Sequence, residues 1–268
     1  MKVIKTIAAL VVAAGLIVIG STSASASVPD GTLDTSFGTS GTASVPATAS
    51  DAVRGIAVQS DGKIVTTGYY STAGWAHGWD FYAARFNTDG SLDTSFATNG
   101  ILQLDISGRH DVPREMAVQS DGKILIAGDI EYNNGGNYRS TIVRITADGV
   151  LDPAFGNNGI WIDPRGVKTT LSSIAVTPSG KILISGQWHQ AGYSWLLSLN
   201  ADGTSNTSFG TNGAIDIFGN NFPNPDRILV EPSGNIVMTG KDGQQLIVWR
   251  YSSTGVADNT FGSNGQAL

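Results

Sequence analysis

The chain has 268 residues, 34 of them glycine and none cysteine, and its 22 acidic against 16 basic side chains give a net charge of −6. The lack of cysteine excludes a disulfide framework and a thiolate-bound metal. The acidic balance excludes the basic face that a nucleic acid requires, and a hydrophobic content of 41% excludes a disordered chain.

Lys2 and Lys5 precede an apolar run from Ile7 to Ile19, and Ala24-Ser25-Ala26 follows. A basic start, a short apolar core and small residues at the end predict a signal peptide over 1–26. The run is shorter than the roughly 20 residues that span a bilayer. The remainder, 27–268, is expected to be one secreted, periplasmic or cell-surface domain without a membrane span.

The rest of the chain repeats itself. A string ending in phenylalanine recurs at Leu33-Asp34-Thr35-Ser36-Phe37, Leu92–Phe96, Leu151–Phe155, Ser205–Phe209 and Ala257–Phe261. Between the strings lies Gln59-Ser60-Asp61-Gly62-Lys63-Ile64, copied at Gln119–Ile124 and more loosely at Pro178–Ile182 and Pro232–Ile236. In the first unit, Val53–Gln59 and Lys63–Tyr69 are β-favouring runs. Asp61-Gly62 predicts a two-residue hairpin turn between them, with both residues at positive φ. Asp80–Asn87 and Ile101–Ile106 complete four strands. The same rhythm continues to Leu246–Tyr251, and no segment after the signal sequence keeps a helical period. Four short strands per repeat predict an all-β propeller of four blades, with repeats at about 42–100, 101–159, 160–213 and 214–268. The tail after Gly265 is short. The strand Gly41–Pro46 is therefore expected to complete the last blade and close the ring, which removes exposed sheet edges and favours a monomer.

The quoted motifs, Leu-Asp-x-Ser-Phe-Gly-x-x-Gly and Gln-Ser-Asp-Gly-Lys-Ile, resemble the delta-60 repeat, a family of exported bacterial propeller repeats. The strand rhythm is also similar, more weakly, to NHL-type propellers. The resemblance implies the propeller fold and the strand order from the axis outward. It carries over no catalytic residue.

In such a blade the hairpin turns and phenylalanine strings share one face, and the connections between second and third strands share the other. The second face varies between repeats. It collects Tyr70, Trp75, His77 and Trp79, then Tyr132, Asn133, Asn134 and Tyr138, then Trp188, His189 and Tyr193; the fourth connection, Lys241–Gln244, has no aromatic. Loops on a rigid scaffold carry binding residues, and aromatic rings beside amides suit the C–H faces of sugars. A non-enzymatic binding module for polysaccharide or a surface protein is the expected function. Two alternatives stand beside it. One is a glycan lyase or hydrolase using His77, His110 or His189 with Asp80 or Asp111; the other is a self-assembling structural protein. No catalytic residue, cofactor or metal is expected, because no nucleophile motif and no short histidine pair occurs. The loop containing Asn87, Asp89 and Asp93 lacks the terminal Glu of a calcium loop. Arg85, Arg144 and Arg250 share one column, which predicts structural ion pairs or backbone contacts.

Overall fold

The computed structural model describes residues 31–46, 51–71, 78–133, 135–166, 168–190, 192–218 and 223–267. The expected signal peptide and the candidates Trp75, His77 and Asn134 lie outside them. The chain divides into units 1–42 and 43–268. In the first, Asp34 Oδ1 accepts the Ser36 N–H and hydroxyl at 3.0 and 2.6 Å.

The second unit is built from sixteen strands and no helix among the described residues. The first blade is β1 (Ala52–Val58), β2 (Ile64–Tyr70), β3 (Asp80–Phe86) and β4 (Ile101–Leu104). The second is β5 (Asp111–Val118), β6 (Ile124–Asn133), β7 (Asn137–Ile145) and β8 (Ile160–Ile162). The third is β9 (Thr169–Val176), β10 (Ile182–Trp188), β11 (Tyr193–Leu199) and β12 (Ala214–Ile217). The fourth is β13 (Asn224–Val230), β14 (Ile236–Asp242), β15 (Gln245–Tyr251) and β16 (Gln266–Ala267). Each forms one antiparallel sheet in sequential order, which makes the chain an all-β protein of four propeller blades.

Two turn types set this rhythm, and one differs from expectation. Gly62 has φ 82°, but Asp61 is not in the left-handed region. The Gln59 N–H donates to Lys63 O and the Gly62 N–H to Gln59 O, at 2.8 and 2.9 Å. This is a three-residue hairpin loop with glycine at its left-handed last position, not a two-residue turn. The two-residue turn occurs instead before each fourth strand. Asn99 and Gly100 both have positive φ, 53° and 91°, and Asn158-Gly159, Asn212-Gly213 and Asn264-Gly265 repeat the pair. The last of these turns explains why the short tail pairs at all. It delivers Gln266 and Ala267 opposite Trp249 and Val248. The outer place of blade 4 is thus filled by the tail. The expected pairing of Gly41–Pro46 with that sheet is absent among the described residues, where the segment's only bridges are Gly38 and Thr39 to Thr42.

Each first strand carries a bulge at one place. The ladder steps from Val53 to Gly55, Pro113 to Glu115, Leu171 to Ser173 and Pro225 to Arg227, leaving Arg54, Arg114, Ser172 and Asp226 unpaired. Opposite each bulge stands a glycine: Gly68, Gly128, Gly186 and Gly240. A Cβ there would collide with the carbonyl oxygen of Ala52, Val112, Thr170 or Asn224.

The first strands pack in series, β1 on β5, β5 on β9 and β9 on β13. Each seam has its own apolar core. Phe81 and Phe96 meet Ile124 and Ile126 in the first. Phe155 and Leu125 meet Ile182, Ile184 and Trp195 in the second. Phe209 and Leu196 meet Ile236, Met238 and Trp249 in the third. The phenylalanines of the first two seams each lie under an arginine. The Arg85 guanidinium sits 4.8 Å from the Phe96 ring and pairs with Asp93 at 2.7 Å, and its Nη1 donates to Ala147 O of the next blade. Arg144 repeats this with Phe155, Asp152 and Ala201 O. In blade 3, Asn206 Nδ2 donates to Ser198 Oγ at 3.0 Å, a neutral substitute. The arginine column is therefore structural, as expected.

Phe155 is fully buried and Phe261 is not. Phe155→Ala is expected to cost about 3–5 kcal/mol and Phe261→Ala less than half of that, measured by chemical denaturation. Arg144→Ser leaves Asp152 buried without its guanidinium and is expected to cost about 3 kcal/mol. Adding Asp152→Asn copies the blade 3 solution and is expected to restore most of that loss.

Candidate functional site

The bulges do more than bend the first strands. A bulge re-aims the side chain of its extra residue, and all four extra residues line one cleft of about 370 Å³. Arg54, Arg114, Ser172 and Asp226 meet there with Thr170, Gln187 and Asn224, so all four blades contribute to a polar lining. Arg114 Nε donates to the buried Asp129 at 2.5 Å. Asp129 also accepts the Leu171 N–H of blade 3 at 2.8 Å, which ties the cleft wall across a seam. Arg227 of β13 pairs with Glu115 of β5, whose other oxygen accepts the Ile174 N–H of β9 at 2.9 Å. Three blades are thereby joined through one carboxylate.

The cleft lies at the starting ends of the first strands, beside the variable connections. His189 is exposed, and its Nε2 lies 2.9 Å from Oγ1 of Thr170, a cleft residue. Three aromatic groups lie at the same ends of their sheets as the cleft. In blade 3, Trp188 and Tyr193 have centroids 5.6 Å apart, and Phe218 lies 5.0 Å beyond Tyr193. Phe218 is 73% exposed, so this strip ends in an open ring face. In blade 2, the exposed Tyr132 ring receives the Arg139 guanidinium at 5.3 Å, and Tyr138 pairs with Glu131 across the hairpin. At the first seam, Trp79 lies tilted over Tyr69 at 4.9 Å and meets His110 edge-on at 5.1 Å. The Trp79 N–H donates to His110 Nδ1 at 3.3 Å. Trp79 and Tyr70 are half-buried, so part of their role is packing.

His110 and His189 belong to different blades and different contacts, so a histidine cluster does not form among the described residues. Carboxylates gather instead. Asp80, Asp105 and Asp111 each place an oxygen within 4.8 Å of the others. Burial pushes Asp80 up to about 7, helped by the charges of Asp105 and Asp111. Burial also raises Asp111 to about 6, against the pull of its hydrogen bonds from Ser107 and Ile106. Tyr70, paired with Asp80 across β2 and β3, rises to about 12 through burial and the same carboxylates.

The sequence had not singled out Arg54, Arg114, Ser172, Asp226, Asp105 or Phe218. A signal for the first four was present. Five residues before Gln59, Gln119, Thr177 and Glu231, one column changes from Arg to Ser to Asp, while the residue just before it stays apolar as Val53, Pro113, Leu171 and Pro225.

Residues 59–96 and 119–155 match the family model described as Domain of unknown function (DUF5122) beta-propeller. No curated protein matches the chain. Among solved structures it is similar to the PQQ-bound aldose sugar dehydrogenase of Streptomyces coelicolor, at 16% identity and TM-score 0.49, over 80% of this chain and 67% of that one. It is also similar to Kuenenia stuttgartiensis hydrazine synthase, at 12% identity and TM-score 0.46, over 84% and 32%. A third likeness is to a protein named as a gluconolactonase, at 16% identity and TM-score 0.41, over 76% of this chain; the chain spans only 61% of that structure. Likenesses at this level describe the fold alone.

Between pH 4 and 7 the folded chain holds protons on Asp80 and Asp111 that the unfolded chain releases, so stability falls as pH rises through that window. The lowered carboxylates, Asp93 and Asp152 among them, act only at more acid pH. In chelator-containing buffer the melting temperature is expected to be higher at pH 5 than at pH 8. Equal values, or the reverse order, overturn this assignment.

Proposed function

We propose that this chain, whose repeats belong to a bacterial β-propeller repeat family, is an exported carbohydrate-binding module that uses the cleft and its aromatic rim. The observation that carries the reading is the convergence of four bulge residues of differing chemistry on one polar cleft. The column changes from Arg to Ser to Asp between repeats, and among the described residues only Arg114 of the four is held in an ion pair with a seam carboxylate, Asp129. Hydroxyls, amide and guanidinium groups in the cleft suit a polyhydroxylated ligand, and the exposed Arg54 adds positive charge for a sugar carboxylate. The Trp188–Tyr193–Phe218 strip supplies ring faces for stacking.

A glycan array with the folded chain tests this. Binding to at least one polysaccharide is expected, and Arg54→Ala and Phe218→Ala are each expected to weaken it about tenfold or more, a loss of about 1.4 kcal/mol or more. Both residues sit at the surface, so circular dichroism is expected to stay unchanged. Failure of the native chain to bind any neutral or acidic polysaccharide sinks the reading.

A second reading rests on Asp80 and Asp111. Asp80, raised to about 7, holds the proton a general acid needs, while Asp111, raised to about 6, is ionised near neutral pH; an acid beside an ionised carboxylate is the equipment of glycan hydrolysis, and this reading predicts polysaccharide cleavage that Asp80→Asn abolishes.

A further inference from the structure

We propose that Asp80, Asp105 and Asp111 form a binding site for one hard divalent cation of the calcium class, at the seam between blades 1 and 2. Asp80 is the first residue of β3, Asp105 follows β4 directly, and Asp111 is the first residue of β5. Two blades therefore deliver three carboxylates to one point.

Acidic neighbours alone do not make a site; the pattern of charge pairing across the molecule does. The described residues include six buried aspartates: Asp80, Asp93, Asp111, Asp129, Asp152 and Asp163. Asp93 pairs with Arg85 and Lys63, Asp129 with Arg114, Asp152 with Arg144 and Lys123, and Asp163 with Arg165. Among the described residues no ion pair joins a basic side chain to Asp80 or Asp111. Buried charge is retained in proteins when it is paired or holds a metal. These two aspartates stand side by side, and neither has the first kind of partner.

The local geometry points the same way. Asp111 is fully buried and is fixed by the Ile106 N–H at 2.6 Å, the Ser107 N–H at 3.2 Å and the Ser107 hydroxyl at 2.5 Å. Asp105 is exposed and accepts the Gly108 N–H at 2.6 Å, which opens the group to solvent on one side. Asp80 points into this pair. It is 4% exposed, and its Oδ1 has no hydrogen-bond partner. The donors are all carboxylate oxygens, which suit calcium with water filling its remaining places. Zinc would favour imidazole, yet the Nδ1 of the neighbouring His110 is engaged by the Trp79 N–H.

The test is titration calorimetry of the chelator-stripped chain with calcium chloride, paired with thermal melts. One calcium per chain is expected, with a higher melting temperature, and magnesium is expected to bind more weakly. Asp105→Asn changes an exposed residue and is expected to fold and to weaken calcium at least tenfold. Asp80→Asn is expected to abolish binding and to raise the melting temperature of the metal-free chain. Asp216→Asn, on the surface of blade 3, is expected to leave the affinity unchanged. No calcium bound at millimolar concentration overturns the proposal, as does unaltered affinity in Asp105→Asn. The site is independent of the carbohydrate reading: glycan binding without calcium, or calcium without glycan, separates the two.

Discussion

Every internal seam of this molecule is closed by the same two contacts: a phenylalanine ring buried between sheets and a peptide N–H donated to the facing turn. The N–H groups of Ala97, Gly156 and Gly210 donate to the carbonyls of Asp148, Asp202 and Thr254 at 2.7, 2.8 and 2.9 Å. Gly149, Gly203 and Gly255 admit the rings, because a Cβ at any of them would crowd Phe96, Phe155 or Phe209. A flat ring and one directional hydrogen bond fix both the spacing and the rotation of successive sheets. The four first strands can then converge on a common cleft only because this contact is repeated almost without change.

Much of that framework could be read from the residues. The phenylalanine strings and Asp-Gly turns marked the strands, because turns need specific φ values and seams need a ring of one size. The errors arose where one dipeptide serves two geometries. Asp61-Gly62 and Asn99-Gly100 look alike as turn signals, yet only the second takes both residues to positive φ. Sequence spacing does not reveal the extra residue of the preceding loop. The tail after Gly265 looks too short for a strand, yet two residues suffice when an Asn-Gly turn aims them.

The site was less legible for a related reason. Aromatic residues in long connections are conspicuous, and the structure does bring Trp188 and Tyr193 together and Trp79 against His110. A bulge leaves no composition signal. Arg54 reads as an ordinary polar position of an alternating strand until the register shift turns it toward the axis. Asp80, Asp105 and Asp111 are separated in sequence and meet only because β3, the end of β4 and the start of β5 share one seam.

Val53, Ile56 and Val58 of β1 are 62–70% exposed, and Leu229 of β13 is 65% exposed. Their counterparts are mostly covered: Met116 and Val118 in the first core, Ala117, Ile174 and Val176 in the second, Ala175, Ile228 and Val230 in the third. Among the described residues four blades thus share three cores, and the second and third blades each border a pair of them. In a stacked array, local opening free energy follows the number of neighbours a unit has. The molecule is therefore graded along its chain. Amides of β6 and β10, whose strands are the most buried, are expected to exchange with solvent after those of β1 and β13. The carboxylate group lies at the first seam, so an ion held there would tie the more exposed first strand's blade to its more enclosed neighbour.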